Sequence, residues 1–251
     1  MSPTRDDAQS RVVVITGGAT GIGAATVAAF TSEGHQVFSM DIDQGPGQAV
    51  ADANPSTTFL PTDITSERDI AAAMARIDWA AGKIDVLVNN AGGFGAAKGI
   101  EETTLEEWRE IIEVNLTSMF LVTRAALPLL RKSDAGKVIN LGSLAGQTAG
   151  WQTSPAYVAA KGGVHALTRA MATELASEGI TVNALAPSAV LTDRIRALRD
   201  DAALEATASS IPLGRYQQPE EVAGWIVFLA SPAAGFTTGQ TISVNGGRFM
   251  A

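Results

Sequence analysis

Tyr157 and Lys161 lie four residues apart in "SPAYVAAKGG". On a helix that spacing puts a phenol and an amine on one face. Pro155 suits the first turn of such a helix. A free tyrosine titrates near 10 and is a weak base at neutral pH. A neighbouring ammonium favours phenolate and lowers that value. The pair therefore has the makings of a tuned general acid/base. Spacing alone favours an ordinary surface pair, and two further residues shift the balance. Ser143 ends the apolar run "GKVINLGS" and could hydrogen-bond a substrate oxygen, although turn and cap serines are common there. Asn115 interrupts an apolar helical run in "EVNLTS", where asparagine is a poor helix former and bends or interrupts the helix; a buried amide bonded to backbone is the alternative.

A second group of residues lies near the N-terminus. "TGGATGIGAA" places Gly17, Gly18, Gly21 and Gly23 between an apolar run and a helical one. Glycines there permit a tight turn and close approach of backbone to a pyrophosphate at a helix N-terminus. Counted from Gly17 the pattern is G-x-x-x-G-x-G, and no Lys-Ser/Thr pair follows, so it is not an NTPase phosphate loop. Asp41 stands eighteen residues beyond Gly23. An acid at that distance can accept hydrogen bonds from an adenosine ribose and repels the extra phosphate of NADP. Thr20 and Ile42 bring no positive charge to offset it. These residues predict a preference for NAD.

The elements that must position these residues alternate. Strands are expected at 12–16, 36–41, 56–63, 84–92, 136–143, 180–187 and 240–247. Helices are expected at 24–34, 67–82, within 104–132, at 155–178 and at 220–231. This alternation predicts one α/β domain over residues 1–251: a Rossmann-type doubly wound sheet of seven parallel strands with helices on both faces. Ligands in such sheets bind at the carboxyl ends of the strands, where the candidate residues collect. Residues 1–10 read as a loose tail, and 188–219, which holds no strand, as a lid over the substrate.

Composition narrows the function classes. The chain is 46% hydrophobic and 18% charged, with a net charge of −8. Its 18 Lys and Arg are scattered, which argues against nucleic acid. Cysteine is absent, so disulfides, thiolate nucleophiles and Cys-ligated zinc are excluded, in keeping with a cytoplasmic site. No His cluster suggests a metal, and no apolar run near the roughly 20 residues of a membrane span stands out. His35 and His165 sit in different segments, neither near a nucleophile in sequence, and His165 reads as a packing or surface residue.

Taken together, "TGGATGIG", "NNAG" at 89–92, Asn115, Ser143, "YVAAK" and "GQTISVNGG" resemble the short-chain dehydrogenase/reductase family over residues 11–247. The resemblance implies hydride transfer between NAD and a secondary alcohol or ketone. Tyr157 would exchange the hydroxyl proton, Lys161 would lower its pKa and hold the nicotinamide ribose, Ser143 would orient the carbonyl, and Asn115 would support a water relay to Lys161. The dinucleotide would meet Gly17, Thr20, Gly21, Ile22 and Gly23 at its phosphates. Asp41 and Ile42 would face its ribose, Asp63 and Ile64 its adenine, and Asn89, Ala91 and Gly92 the cleft. Pro187, Val190 and Thr192 would face the nicotinamide side. The usual Pro-Gly after the sixth strand is Pro187-Ser188 here, which puts the pocket loop in question.

Phe94, Gln147, Trp151 and Gln152 are expected beside Ser143 and Tyr157 in the substrate pocket, and the two aromatic residues suggest a small cyclic or aromatic ketone. Family members usually form homotetramers. The alternatives are an NADPH-dependent 3-oxoacyl-thioester reductase, or a non-catalytic NAD-binding module.

Overall fold

The computed structural model describes residues 10–148 and 153–250. Trp151, Gln152 and nearly all of the expected N-terminal tail lie outside the described residues. Seven strands form one parallel sheet: β1 (Val12–Thr16), β2 (Gln36–Asp41), β3 (Thr57–Pro61), β4 (Val86–Asn89), β5 (Lys137–Leu141), β6 (Thr181–Pro187) and β7 (Thr241–Val244). Their order across the sheet is β3-β2-β1-β4-β5-β6-β7. The chain reverses its direction of winding between β1 and β4, and this switch point opens a crevice at the strands' carboxyl ends.

Both faces of the sheet are covered, which explains the almost unbroken apolar strands. Val12 and Val14 face one side with Phe38, Leu60 and Leu87, under α3 (Glu67–Ala81), α5 (Ser118–Leu130) and α6 (Pro155–Leu175). Val13 and Ile15 face the other with Val37, Val86 and Ile139, under α1 (Gly21–Ser32) and α9 (Pro219–Ala230). Alternation along β1 thus divides the core into two layers.

Three departures from the sequence expectation have physical causes. Helix α2 (Gln44–Ala53) occupies "QGPGQAVADA", where glycines and a proline read as breakers. Pro46 lies in its first turn, where proline is tolerated, and Gly47 packs flat on Phe59, whose ring would lie 2.1 Å from an added Cβ. The strand-free stretch 188–219 holds two short helices, α7 (Asp193–Leu198) and α8 (Asp201–Ser209), tied back by pairing of Val190 with Gln217. The helical run through α4 (Leu105–Ile112) and α5 spans 26 residues and is long and apolar enough to cross a bilayer by length and composition alone. Glu113 and Arg124 interrupt that run in the sequence. In the fold its Val122, Ala126 and Leu130 pack on the sheet.

Candidate active site

The first wall of the crevice is the glycine turn after β1. Gly17 and Gly21 adopt φ of 67° and 53°, which side chains rarely accept. A Cβ on Gly17 would lie 2.7 Å from Ala91 Cα, and one on Gly23 would lie 1.8 Å from the Gly17 carbonyl oxygen. The turn is therefore folded on itself and on the loop after β4, and its glycines leave no room there for side chains. Asn90 locks this contact by donating through Nδ2 to the Thr16 and Gly17 carbonyls at 3.0 and 2.9 Å. Thr16 Oγ1 accepts from the amides of Asn90 and Ala91, each at 3.1 Å.

Asp41, at the end of β2, is held by two backbone amides. Its Oδ2 accepts from Ala19 N at 2.9 Å and its Oδ1 from Asp43 N at 3.0 Å. The carboxylate is fixed beside the turn and on the cleft wall. Asp63 and Ile64 line the same end, with Asp63 Oδ1 accepting from the Thr65 amide and hydroxyl at 2.9 and 2.7 Å. A bare glycine turn at a helix N-terminus, followed by an oriented acid, fits a dinucleotide.

The opposite wall carries the proton chemistry. Ser154 caps α6, accepting from Tyr157 N at 3.3 Å, and so sets where the first turn begins. One turn later Lys161 points under the carboxyl end of β5, where Nζ donates to the Leu141 carbonyl at 2.7 Å. Lys161 is buried, and burial alone brings its ammonium down to about 8. Its Nζ stands 5.7 Å from the centre of the Tyr157 ring.

Burial also acts on Tyr157, pushing the phenol above its ordinary value, while the Ser143 hydroxyl and the Arg194 guanidinium pull the other way. Lys161 does not lower it as expected: the amine lies over the ring face, and burial governs the phenol. Ser143 also caps the short turn Leu144–Gly146, accepting from Ala145 N at 3.1 Å, so its oxygen is fixed at the crevice edge.

Asn115 sits in a single π turn, Glu113–Thr117, inserted between α4 and α5. Its Nδ2 donates to the carbonyls of Ile111 and Gly93 at 2.9 and 2.8 Å, and its Oδ1 accepts from Gly93 N at 3.1 Å. A Cβ on Gly92 would meet Asn115 Oδ1 at 2.6 Å and Lys161 Nζ at 3.5 Å. Asn115, Gly92 and Lys161 thus converge on one point.

One cleft of about 1080 Å³ joins these walls. Gly17, Thr20, Gly21, Ile22, Asp41, Ile42, Ala91 and Gly92 border it, as do Phe94, Ser143, Tyr157, Lys161, Pro187, Val190 and Thr192. Gly23 lies behind the turn and shapes it.

Two expected residues are elsewhere. Asn89 is buried and turns into the core, where Nδ2 donates to Thr123 Oγ1 and Asn140 Oδ1, each at 2.9 Å. It belongs to a polar ladder under the sheet end, because successive strand residues face opposite sides; its neighbour Asn90 takes the cleft side. Gln147 accepts from Ser243 Oγ at 2.9 Å and is not on the cleft wall. Sequence reasoning missed Arg199, Tyr216 and Arg248, which line the far end. They come from three separate segments, so no local spacing signals them. His165 is buried and its imidazole is held down to about 4, chiefly by burial.

The chain matches the family model described as Enoyl-(Acyl carrier protein) reductase over residues 17–248. It is 37% identical over 243 residues to the 3-oxoacyl-[acyl-carrier-protein] reductase FabG of Vibrio harveyi, covering 96% of this chain and 98% of that protein. It is 41% identical over 243 residues to L-fucose dehydrogenase of Mus musculus, covering 94% of this chain and 88% of the other. Among solved structures, the Pseudomonas aeruginosa RhlG/NADP active-site complex superposes with a TM-score of 0.90 at 33% identity and covers 99% of both chains.

Proposed function

The chain belongs to the short-chain dehydrogenase/reductase family of oxidoreductases acting on alcohols and ketones, and from that premise we propose a reversible NAD(H)-dependent oxidation of a secondary alcohol to a ketone with Tyr157 as the acid/base. The observation that carries this reading is the meeting of Ser143, Tyr157 and Lys161 in the cleft whose other end holds the glycine turn and Asp41. When bound, NAD accepts or returns the hydride.

The protein's residues do the rest. Ser143, fixed by its own cap bond, donates a hydrogen bond to the substrate oxygen. The Tyr157 hydroxyl, beside Ser143, takes the alcohol proton or returns it to the carbonyl oxygen. Lys161 is buried and fixed by the Leu141 carbonyl, so it presents its charge to the cleft from one position. Asn115 holds the loop of Gly92 and Gly93 against Lys161, which keeps the amine's remaining donors directed into the site.

Preference for NAD over NADP rests on Asp41. Its two amide bonds fix a negative charge beside the glycine turn, and the cationic residues on the cleft wall are Lys161, Arg194, Arg199 and Arg248, none adjacent to it in sequence. RhlG was solved with NADP, so the comparisons support a nicotinamide dinucleotide of either type, and the acid is what favours NAD here. Assembly into a homotetramer is part of the same reading: Leu105 and Phe120 on the α4–α5 run, and Trp225 and Phe228 on α9, are left exposed. Light scattering tests it.

The direct test is Tyr157→Phe with dinucleotide binding followed by fluorescence. Turnover should fall at least about 100-fold while NADH still binds. Near-normal turnover in that variant would remove Tyr157 from the mechanism.

A further inference from the structure

Beyond Tyr157 the cleft changes character. The sequence suggested an apolar pocket around Phe94. The structure instead lays a guanidinium on that ring: Arg194 Cζ is 5.2 Å from its centre, and Nη2 donates to the Phe94 carbonyl at 3.0 Å. Two more arginines line the same end. Arg199, just after α7, donates to Thr207 Oγ1 at 2.8 Å. Arg248, from the segment after β7, donates to Ser188 Oγ and Ser210 Oγ, each at 3.1 Å. Ser188 is the residue that replaces the usual glycine after β6, so the departure from the family pattern supplies an acceptor for Arg248.

These guanidinium groups come from different elements and line one cleft. Burial holds Arg248 below the ordinary arginine value, with Tyr216 acting against that and Arg199 adding to it. Guanidinium groups along one cleft wall suit an anionic oxygen group better than a neutral one. Arg194 and Arg199, like several other arginines, are in no salt bridge among the described residues. Asp193 also borders the cleft, as the single carboxylate of α7. A second observation points to a ligand. Tyr216 is more than nine-tenths buried, lines this end of the cleft, and its hydroxyl has no hydrogen-bond partner. A buried hydroxyl normally has one.

We propose that Arg194, Arg199 and Arg248, with the hydroxyl of Tyr216, bind an anionic oxygen group, a carboxylate or a phosphate ester, carried by the substrate itself. This rests on the oxidoreductase function above and specifies its substrate class. The reacting carbon and the anion belong to one small molecule, because Arg194 Cζ lies 5.2 Å from the Phe94 ring centre and that ring stands edge-on to Tyr157 at 6.1 Å. A guanidinium fork matches either oxyanion in a two-pronged fashion.

The test compares matched substrates on the wild-type protein with NADH or NAD: a short oxo acid against its methyl ester, and a polyol phosphate against the free polyol. An anionic member should be favoured about 10- to 100-fold in kcat/KM, the size of one or two charge-assisted hydrogen bonds, and whichever pair shows the preference identifies carboxylate or phosphate. In Arg199→Met and Arg248→Met that preference should shrink at least about tenfold. A parallel thermal-shift series on the protein–dinucleotide complex, using the same compounds, reads binding without turnover. Neutral members that turn over and stabilise as well as the anionic ones would overturn the anion site and leave the oxidoreductase function standing. Stabilisation by anions alone, with no turnover of any compound, would support the anion site and sink the oxidoreductase function.

Discussion

Replacing Lys161 by methionine isolates the energetic consequence of placing an ammonium under the carboxyl end of β5. The side chain is 4% exposed, and burial lowers its pKa from an ordinary 10.5 to about 8. That depression corresponds to about 3 kcal/mol of stability lost at neutral pH. Between pH 8 and 10.5 the unfolded chain binds this proton and the folded chain does not, so wild-type stability rises with pH across that window. Below pH 8 both states hold the proton and the penalty is complete; above 10.5 neither does and the penalty is gone. Lys161→Met removes the titration and also leaves the Leu141 carbonyl without its donor, a cost of about 1–3 kcal/mol that does not vary with pH. The difference in unfolding free energy, wild type minus variant, should therefore climb by about 3 kcal/mol from pH 8 to 10.5, measured by denaturant titration without dinucleotide. Carbon NMR of labelled lysine gives a direct check: one resonance, missing in the variant, should titrate near 8. A flat stability difference, with every lysine titrating near its ordinary value, would refute the claim that this amine is buried and poised.

Asp41→Asn keeps an acceptor and removes the charge, so the ratio of kcat/KM with NADP to that with NAD should rise at least about tenfold in steady-state assays. For His165, a folded pKa of about 4 against an ordinary 6.5 means the unfolded state takes up the proton first as pH falls. Relative to His165→Leu, the wild type should lose about 3 kcal/mol between pH 6.5 and 4, read from denaturation midpoints. Gly23→Ala drives a Cβ to within 1.8 Å of the Gly17 carbonyl oxygen, whereas nothing lies within 4 Å of a Cβ on Gly224 in α9. The first change should weaken NADH binding at least about tenfold in fluorescence titrations and the second should leave it intact.

Much of the fold was legible because its signals are local and mutually consistent. Buried parallel strands need continuous apolar residues, and "VVVIT" or "VINL" can hardly be anything else between helical periods and glycines. Helix α2 escaped because glycine and proline usually end helices, and only the flat contact of Gly47 with Phe59 shows why that glycine is needed. The helices of 188–219 escaped because α7 has six residues and α8 nine, too short for a clear period.

At the site, the sequence by itself determined the chemistry in each segment: a bare glycine turn, an acid at the right separation, and a phenol and an amine one helical turn apart. These depend on spacing along one element, which backbone geometry converts directly into position. Tertiary structure alone decided how the segments face one another. It turned Asn89 into the core and Asn90 toward the cleft, and set Gln147 against Ser243. It stacked Lys161 over the Tyr157 ring where burial, rather than the ammonium, governs the phenol. It also gathered Arg194, Arg199, Tyr216 and Arg248 from α7 and the residue after it, the segment before α9 and the C-terminal segment. Charge and burial act through space, so residues far apart in the chain acquire a joint function only once the sheet and the segments around it have brought them within reach.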